Sequence, residues 1–401
     1  MLSYINILIT LVLCPFFAYL ALITAAALGG RRREGSVQPR PARFLFVIPA
    51  HDEEGNIRST VESCLAVSYD PALYRVVVIA DNCSDGTARV ARAAGAEVVE
   101  RTDLARRSKG HALEYFFQHH PGAAGACDAV VLIDADTVVD PGILSAFAAA
   151  LAEGMDWIQG YYTVRNPDAS WRTRLMTYTF SLFNGVWLLG QDRLGLGIGL
   201  KGNGMCFSTR GLERFPWKAH GLTEDLEFSW MLRIAGERIH FLPETRVCGS
   251  MPSRGGSAAV AQRRRWEAGR KALRGSFLGP LLRSRQLGPF TKTMYLIELV
   301  FPPLVTLLLG LLVAAGLQLG ASFDPGSLPT ARWILPIHGG MAVVLACYAV
   351  SPFFALHLPA RYLASLAALP YYAAWKLLVT TGRNPTSWVR TPRERARGDA
   401  T

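Results

Sequence analysis

Three long apolar runs stand out against an otherwise mixed pattern of hydrophobic and polar residues in this 401-residue chain. Residues 2–30 and 333–358 contain no Asp, Glu, Lys or Arg, and residues 294–320 contain only Glu298. A helix needs about 20 apolar residues to cross the hydrocarbon core of a bilayer, so each run predicts a transmembrane helix. The first run lacks a preceding basic segment and exceeds the usual apolar length of a signal peptide, so we expect it to be retained.

Basic residues flank these runs on one side, which predicts their orientation. Arginines 31–33 follow the first run, a basic block at 263–285 precedes the second, and a basic tail at 383–401 ends the chain. The positive-inside rule then places the region between the first two runs in the cytoplasm, in a multi-pass protein of the cytoplasmic (inner) membrane. Residues 359–382 predict an interfacial or re-entrant helix, because a fourth span would place the basic tail outside.

Between the first two runs, short apolar strands alternate with amphipathic helices. The segments RFLFVIPA, YRVVVIAD and DAVVLID each end in a polar turn that precedes a helical pattern. This alternation favours an α/β domain with a parallel sheet, which binds ligands at the carboxyl ends of its strands. The predicted divisions are a transmembrane helix at 1–30, a basic linker at 31–43, the α/β domain at 44–257, interfacial amphipathic helices at 258–290, two transmembrane α-helices at 291–358, the interfacial or re-entrant helix at 359–382 and a basic cytoplasmic tail at 383–401.

Composition narrows the expected partners. The net charge is +11, and seven cysteines are spread along the chain without a Cys-x-x-Cys pair. The cysteine pattern argues against a zinc site or a disulfide framework and suits a reducing cytosol. Because the arginines cluster beside the apolar runs, anionic lipid headgroups account for them, and we expect membrane lipids and no nucleic acid as partners.

Charged side chains follow the predicted strands where a ligand would bind. Asp134 and Asp136 end a buried run, and two carboxylates at this spacing can share a divalent cation with a diphosphate. A solvated turn explains the same pair about equally well. Asp81 ends another strand in a turn, and Lys109 precedes Gly110 at a helix start that suits a phosphate.

A later helix begins with an acidic first turn. Thr223 is the expected N-cap, and Glu224 and Asp225 follow it, where the helix dipole favours acids. By itself, capping explains this trio more readily than catalysis does. The glycines of residues 199–212, which precede this helix, allow a ligand to approach the backbone closely.

The basic block divides by helical geometry. Gln262, Arg265 and Trp266 have i, i+3 and i+4 spacing and share one face, with Arg270 near it. We expect Arg265 to face a ligand. The basic residues expected to face lipid headgroups or solvent are Arg263, Arg264 and Lys271.

In this order, the motifs resemble those of the membrane-embedded inverting glycosyltransferases of family 2, which include cellulose, chitin and hyaluronan synthases. The resemblance covers roughly residues 40–275, and the flanking apolar runs fit the same group. Its most specific element is Q-x-x-R-W about forty residues after T-E-D. The matching segments are PAHDEE from Pro49, DNCSDG from Asp81, KG from Lys109, DAD from Asp134, TED from Thr223 and QRRRW from Gln262.

This resemblance implies a GT-A fold that binds a UDP-sugar with Mg²⁺ or Mn²⁺. Asp81 would contact the uracil, Lys109 would lie near the nucleotide, and Asp134 would lie near the ribose or the sugar. Asp136 would ligate the metal. The residues expected on the diphosphate and acceptor side are Gln262, Arg265 and Trp266.

The resemblance also implies the reaction. Asp225, beside Glu224, would be the general base on the acceptor hydroxyl, and displacement with one base and no carboxylate nucleophile predicts inversion and a β-linkage. The acceptor is expected to be a growing exopolysaccharide, with export or polymerisation subunits as further partners. The alternatives are addition of a single sugar to a polyprenyl- or ceramide-linked acceptor, and an inactive sugar-nucleotide-binding scaffold of a secretion complex. Glu298 either lines a polysaccharide channel or lies at the interface.

Overall fold

The computed structural model describes residues 2–29, 40–253, 256–321, 328–368, 370–372 and 374. The arginines at 31–33 and the basic tail at 383–401 lie outside these ranges, as does most of 373–382. Their expected placements therefore remain predictions.

One mixed sheet of eight strands forms the centre of the α/β domain. Its strands are β1 (Phe44–Ala50), β2 (Tyr74–Asp81), β3 (Glu97–Arg101), β4 (Ala129–Leu132), β5 (Thr137–Val139), β6 (Trp157–Val164), β7 (Met205–Ser208) and β8 (Ile239–Gly249). Their order in the sheet is β3-β2-β1-β4-β7-β6-β8-β5.

The parallel arrangement expected from the sequence holds for one half of this sheet. Strands β3, β2, β1 and β4 are mutually parallel, whereas β7 runs antiparallel to both β4 and β6. Leu132 pairs with Met205, which brings the glycine-rich turn before β7 to the carboxyl end of β4. Gly202 and Gly204 have φ angles of +77° and +69°, a region that side chains with a Cβ rarely adopt.

Helices cover both faces of the sheet, because its central strands are apolar on both sides. In β1, Leu45 and Val47 pack into one core cluster, and Phe44, Phe46 and Ile48 pack into the other. The helices before the basic block are α1 (Leu2–Gly29), α2 (Ile57–Leu65), α3 (Thr87–Ala93), α4 (Lys109–His119), α5 (Pro121–Gly125), α6 (Ile143–Ala152), α7 (Trp171–Phe180), α8 (Trp187–Arg193), α9 (Thr209–Arg214) and α10 (Glu224–Ile234).

The long helices that follow the sheet in the described ranges are α11 (Ser257–Arg283), α12 (Pro289–Val300), α13 (Leu304–Ala321) and α14 (Leu328–Ala355). The apolar run at 294–320 is not one helix, contrary to the prediction. α12 ends at Val300 and α13 begins at Leu304, because Pro302 and Pro303 between them lack the N–H donors that a continuous helix needs.

Three helices in the described ranges are long and apolar enough to cross a membrane: Ser3–Gly29, Leu304–Ala321 and Trp333–Ala355. They pack on one another around an apolar centre formed by Leu13, Phe17, Leu307, Leu311 and Met341.

The segment after α14 forms a 3₁₀ helix, Ala360–Ala368, that packs against α7 of the α/β domain. Arg361 lies 3.6 Å from Asp168, which precedes α7.

Candidate active site

A cavity of about 920 Å³ lies at the carboxyl ends of β1, β2 and β4 and extends to the membrane helices. The structure brings every candidate site residue selected from the sequence into its lining. They are Asp81, Lys109, Asp134, Asp136, Glu224, Asp225, Gln262, Arg265 and Trp266.

Asp81 closes the far end of the cavity and is 6% exposed. Its carboxylate accepts hydrogen bonds from Arg101 at 2.5 Å and from Asn82 at 3.0 Å. Burial raises the pKa of Asp81, and the Arg101 charge opposes that rise. Sequence reasoning missed Arg101, which lies opposite Asp81 only because β2 and β3 pair in parallel.

Lys109 joins three parts of the site. Its ammonium lies 2.5 Å from Asp134 and 3.9 Å from Glu224, and it donates to the carbonyl of Gly202. Burial alone would lower the pKa of Lys109, but the charges of Asp134 and Glu224 raise it. Ser108 caps this helix start by accepting from the N–H of His111 at 3.2 Å.

Asp134 and Asp136 provide the carboxylate oxygens nearest the end of β4. Asp136 is 4% exposed, and its backbone carbonyl accepts from the N–H of Ser250 at 3.3 Å. Asn203 Oδ1 accepts from the N–H of Asp134 at 3.1 Å, which fixes the turn after β4 against the glycine-rich segment. Two carboxylates on one wall of a cavity are the ligands that Mg²⁺ and Mn²⁺ prefer.

Glu224 and Asp225 occupy the first turn of α10, in the middle of the cavity wall. Burial raises the pKa of Glu224 to about 7, and the neighbouring Asp225 charge contributes. Burial also raises the pKa of Asp225, against the lowering effect of the hydrogen bond from the Leu226 backbone N–H and of the Lys109 charge. Two adjacent carboxyls therefore titrate above their ordinary range, as in many catalytic sites.

Thr223 occupies the N-cap position of α10, but its side chain makes no cap hydrogen bond, contrary to the expectation. The side chain packs against α11 instead, where a Cβ added to Gly269 would collide with Thr223 Oγ1. The acidic turn and α11 are therefore in direct contact.

On α11, Gln262, Arg265 and Trp266 share the cavity-facing side as predicted. Trp266 also packs against the apolar cluster around Met251. The expected outward position of Arg263 is wrong, because Arg263 lines the cavity and pairs with Glu267 at 2.7 Å.

A sequence comparison identifies the family. Residues 40–269 match the profile of "Glycosyltransferase like family 2", which spans more than half of the chain. The chain belongs to this family. The protein is therefore a glycosyltransferase with a GT-A-like α/β domain, and the fold and enzyme class predicted from the motifs are confirmed.

The proteins that resemble this glycosyltransferase carry the names of different sugar-transfer activities. It is 24% identical to a poly-beta-1,6-N-acetyl-D-glucosamine synthase of Staphylococcus aureus over 237 residues, which are 56% of this chain and 54% of that one. It shares its fold with the mannosyltransferase PcManGT of Pyrobaculum calidifontis in complex with GDP-Man and Mn²⁺, with a TM-score of 0.58, 19% identity and coverage of 93% of this chain and 99% of that chain. A structure of glucosyl-3-phosphoglycerate synthase from Mycobacterium tuberculosis matches more weakly, with a TM-score of 0.40, 22% identity and coverage of 65% and 83%.

Glu298 of the glycosyltransferase lines the cavity and also connects the catalytic domain to the membrane helices. It forms a buried ion pair with Arg233 of α10, and Gln191 Nε2 donates to it at 2.8 Å. The same Gln191 amide donates to Tyr19 of α1 at 2.8 Å. The Arg233 guanidinium lies 3.8 Å from the centre of the Tyr295 ring. Sequence reasoning found the acid but not its partner, since the pair depends on how α10 and α12 pack.

The glycosyltransferase cavity becomes apolar where it reaches the membrane helices. Leu304, Val305, Leu308 and Leu309 line it from the first turns of α13. Leu308 and Leu309 are also 42% and 46% exposed, on a helix apolar enough to span a bilayer. The cavity therefore leads from the acidic turn to a surface suited to lipid.

Proposed function

We propose that this glycosyltransferase transfers a sugar from a UDP-sugar to an acceptor hydroxyl by direct, inverting displacement on the cytoplasmic side of the membrane. The observation that carries the proposal is the acidic turn of α10, with Asp225 between the cavity's polar nucleotide end and its apolar membrane end. A β-linkage follows if the donor is α-linked.

Asp134 and Asp136 fit a divalent cation, because both are carboxylates on one cavity wall. When bound, Mg²⁺ or Mn²⁺ supplies positive charge that stabilises the departing diphosphate. The fold neighbour from Pyrobaculum, described with GDP-Man and Mn²⁺, supports a sugar nucleotide and a divalent metal as ligands of this fold. We assign Asp81, held by Arg101, to the base of the nucleotide.

We assign the remaining steps of the reaction to residues of the chain itself. Asp225 accepts the proton of the acceptor hydroxyl, on the face of the sugar opposite the leaving group. Lys109 and Arg265 offset the negative charge that develops on the diphosphate. Glu224 shares the acidic turn, and the Asp225 charge contributes to its raised pKa, so the two carboxyls titrate together.

The geometry favours a lipid-linked acceptor. The membrane end of the cavity is lined by aliphatic side chains of α13 and by Leu345, Tyr348 and Ala349 of α14. The three-helix bundle packs around an apolar cluster and also contains two buried polar pairs, Asn6 with Gln318 and Thr10 with His338. An apolar chain fits such a groove, whereas a hydrated glycan needs polar partners.

Extension of an exopolysaccharide is the second candidate. It rests on the likeness to the Staphylococcus aureus poly-beta-1,6-N-acetyl-D-glucosamine synthase. Because the match covers about half of that synthase, its activity comes to this chain only as a proposal.

Purified full-length protein in lipid vesicles, supplied with Mn²⁺ and a panel of UDP-sugars, tests both candidates. We expect release of UDP and a lipid-extractable product enlarged by a single sugar. A long water-soluble polymer would favour the second candidate. Asp225→Asn should lower kcat by about 10² or more while UDP binding changes little. Unaltered turnover in Asp225→Asn would overturn the assignment of the base.

A further inference from the structure

Lys201 faces the cavity between the acidic turn of α10 and the membrane-side helix α12. Its neighbours in charge are Asp225 and Glu298, yet no carboxylate of the described ranges lies within 4.0 Å of its ammonium. Burial lowers the pKa of Lys201 to about 8, and the charges of Asp225 and Glu298 only partly offset this effect. A cation without an ion-pair partner in a cavity is stabilised by an anionic ligand.

Further cations surround Lys201 on the membrane side of Asp225. Arg270 lines the cavity beside it and pairs with Glu267 at 2.7 Å, a carboxylate already shared with Arg263. Arg274 lines the same wall, and its guanidinium donates to the backbone carbonyls of Leu299 and Phe301 at 3.1 Å each. Because these carbonyls are uncharged, they do not neutralise the positive charge of Arg274.

The two carboxylates at this end are already occupied by cations. Glu298 pairs with Arg233, and Glu267 pairs with two arginines. The wall therefore keeps a surplus of positive charge contributed by Lys201, Arg270 and Arg274. Just beyond Arg274 the lining changes to Leu304, Val305, Leu308 and Leu309.

We infer that Lys201, Arg270 and Arg274 form a subsite for the phosphate or diphosphate that joins an acceptor glycan to its lipid. The order along the cavity matches such a molecule from end to end. The reacting sugar lies at Asp225, the phosphate lies at the cations, and the apolar chain follows α13. This inference rests on the proposed lipid-linked acceptor and selects phosphate-linked lipids over neutral, ceramide-like ones.

A binding experiment that needs no turnover tests the subsite. Full-length protein in detergent is titrated with phosphatidylcholine vesicles that contain undecaprenyl diphosphate, and in parallel with vesicles that contain uncharged undecaprenol. We expect the diphosphate vesicles to bind at least tenfold more tightly. Lys201→Met should remove about tenfold of that affinity, which corresponds to about 1.4 kcal/mol, and Lys201→Arg should restore most of it.

Controls separate this subsite from the donor site and from misfolding. Lys218→Met removes an exposed lysine outside the cavity lining and should bind like the wild type. UDP affinity should change less than twofold in Lys201→Met, which also shows that the variant is folded. A larger loss of UDP affinity than of lipid affinity would assign Lys201 to the donor diphosphate and overturn the inference.

Two further outcomes would also contradict the proposed phosphate subsite. Equal binding of undecaprenol would show that the cations do not contribute. Complete competition by inorganic phosphate at concentrations equal to the lipid would show a site for free phosphate instead of a lipid headgroup. If the proposed function is wrong, the protein transfers no sugar to any lipid acceptor. The binding experiment does not depend on transfer, so its result tests the subsite independently.

Discussion

At the scale of single residues, the acidic turn of α10 combines two carboxyls whose burial opposes their ionisation. Asp225 and Glu224 are adjacent in the chain, and both face the cavity beside Lys109. A base in this setting accepts a proton near neutral pH more readily than an exposed aspartate does. The same burial lowers the stability of the folded protein when the two carboxyls are ionised, because their charged forms are desolvated.

The pH dependence follows from these directions. The pKa of Glu224 is raised from 4.5 to about 7, and that of Asp225 is also raised. As pH falls through about 7 the pair takes up a proton, so kcat/KM should decline below neutrality instead of below pH 5. Measurement of kcat/KM between pH 5 and 9 checks this expectation.

Glu224→Gln tests the origin of that decline. Removal of one negative charge should move the acidic limb to lower pH in the activity that remains. The exposed Glu213→Gln is the matched control and should keep the wild-type profile. For stability the sign is the reverse: a raised carboxyl pKa makes the folded state bind more protons than the unfolded state between about pH 4.5 and 7. The contribution of Glu224 to stability is therefore greatest at low pH and is lost as pH rises through this window.

At the scale of elements, α11 and α10 meet at a contact that only glycine allows. A Cβ on Gly269 would collide with the side chain of Thr223, which precedes the acidic turn of Glu224 and Asp225. Gly269→Ala should push α11 and Arg265 away from the site. We expect kcat to fall at least tenfold while overall stability falls by about 1–3 kcal/mol, the usual range for overpacking. Steady-state kinetics and thermal unfolding measure the two effects.

Gly275 provides the control for this substitution. It lies on the same helix, and nothing lies within 4 Å of a Cβ added there. Gly275→Ala should therefore leave kcat unchanged and slightly stabilise α11, because alanine favours the helix over glycine. If both variants behave alike, the contact with Thr223 has no role in activity.

The pair of Arg233 and Glu298 links α10 to α12. Burial alone would lower the pKa of Arg233, but the Glu298 carboxylate raises it above its usual range. Glu298→Gln leaves a buried arginine without its counter-charge and should lower the free energy of unfolding by about 3 kcal/mol or more. Denaturant unfolding measures this loss.

Replacement of both partners, Arg233→Met with Glu298→Met, should recover much of that stability, since it removes the uncompensated charge. The exposed pair of Arg75 and Glu97 is the control, and Glu97→Gln should cost less than about 1 kcal/mol. A loss of equal size in both single variants would show that the buried pair has no special importance.

At the scale of the whole molecule, sequence patterns predict the features that depend only on residues close together in the chain. Apolar periodicity found the strands that carry Asp81 and Asp134, and apolar length found the membrane helices. Apolar length alone predicted one span for residues 294–320, whereas Pro302 and Pro303 divide it into α12 and α13.

Contacts between distant segments were not predictable in the same way. The pairing of Asp81 with Arg101 depends on strand register, and that of Arg233 with Glu298 depends on helix packing. Lys201 is an ordinary lysine in the sequence and becomes a candidate ligand-binding residue only when the cavity shows which charges surround it.

If the acceptor is lipid-linked, as proposed, the packing of the three long apolar helices bears on which side of the bilayer the glycolipid product stays. Leu13, Leu307 and Met341 are buried in one apolar cluster among the three helices, which opposes the passage of a hydrophilic headgroup at that level. Synthesis and transverse movement would then be separate events, and a different protein would flip the product to the other leaflet. In vesicles with outward-facing active sites, an added glycosidase should remove all of the newly attached sugar, and a protected fraction that appears only after detergent would show that this protein moves its product itself.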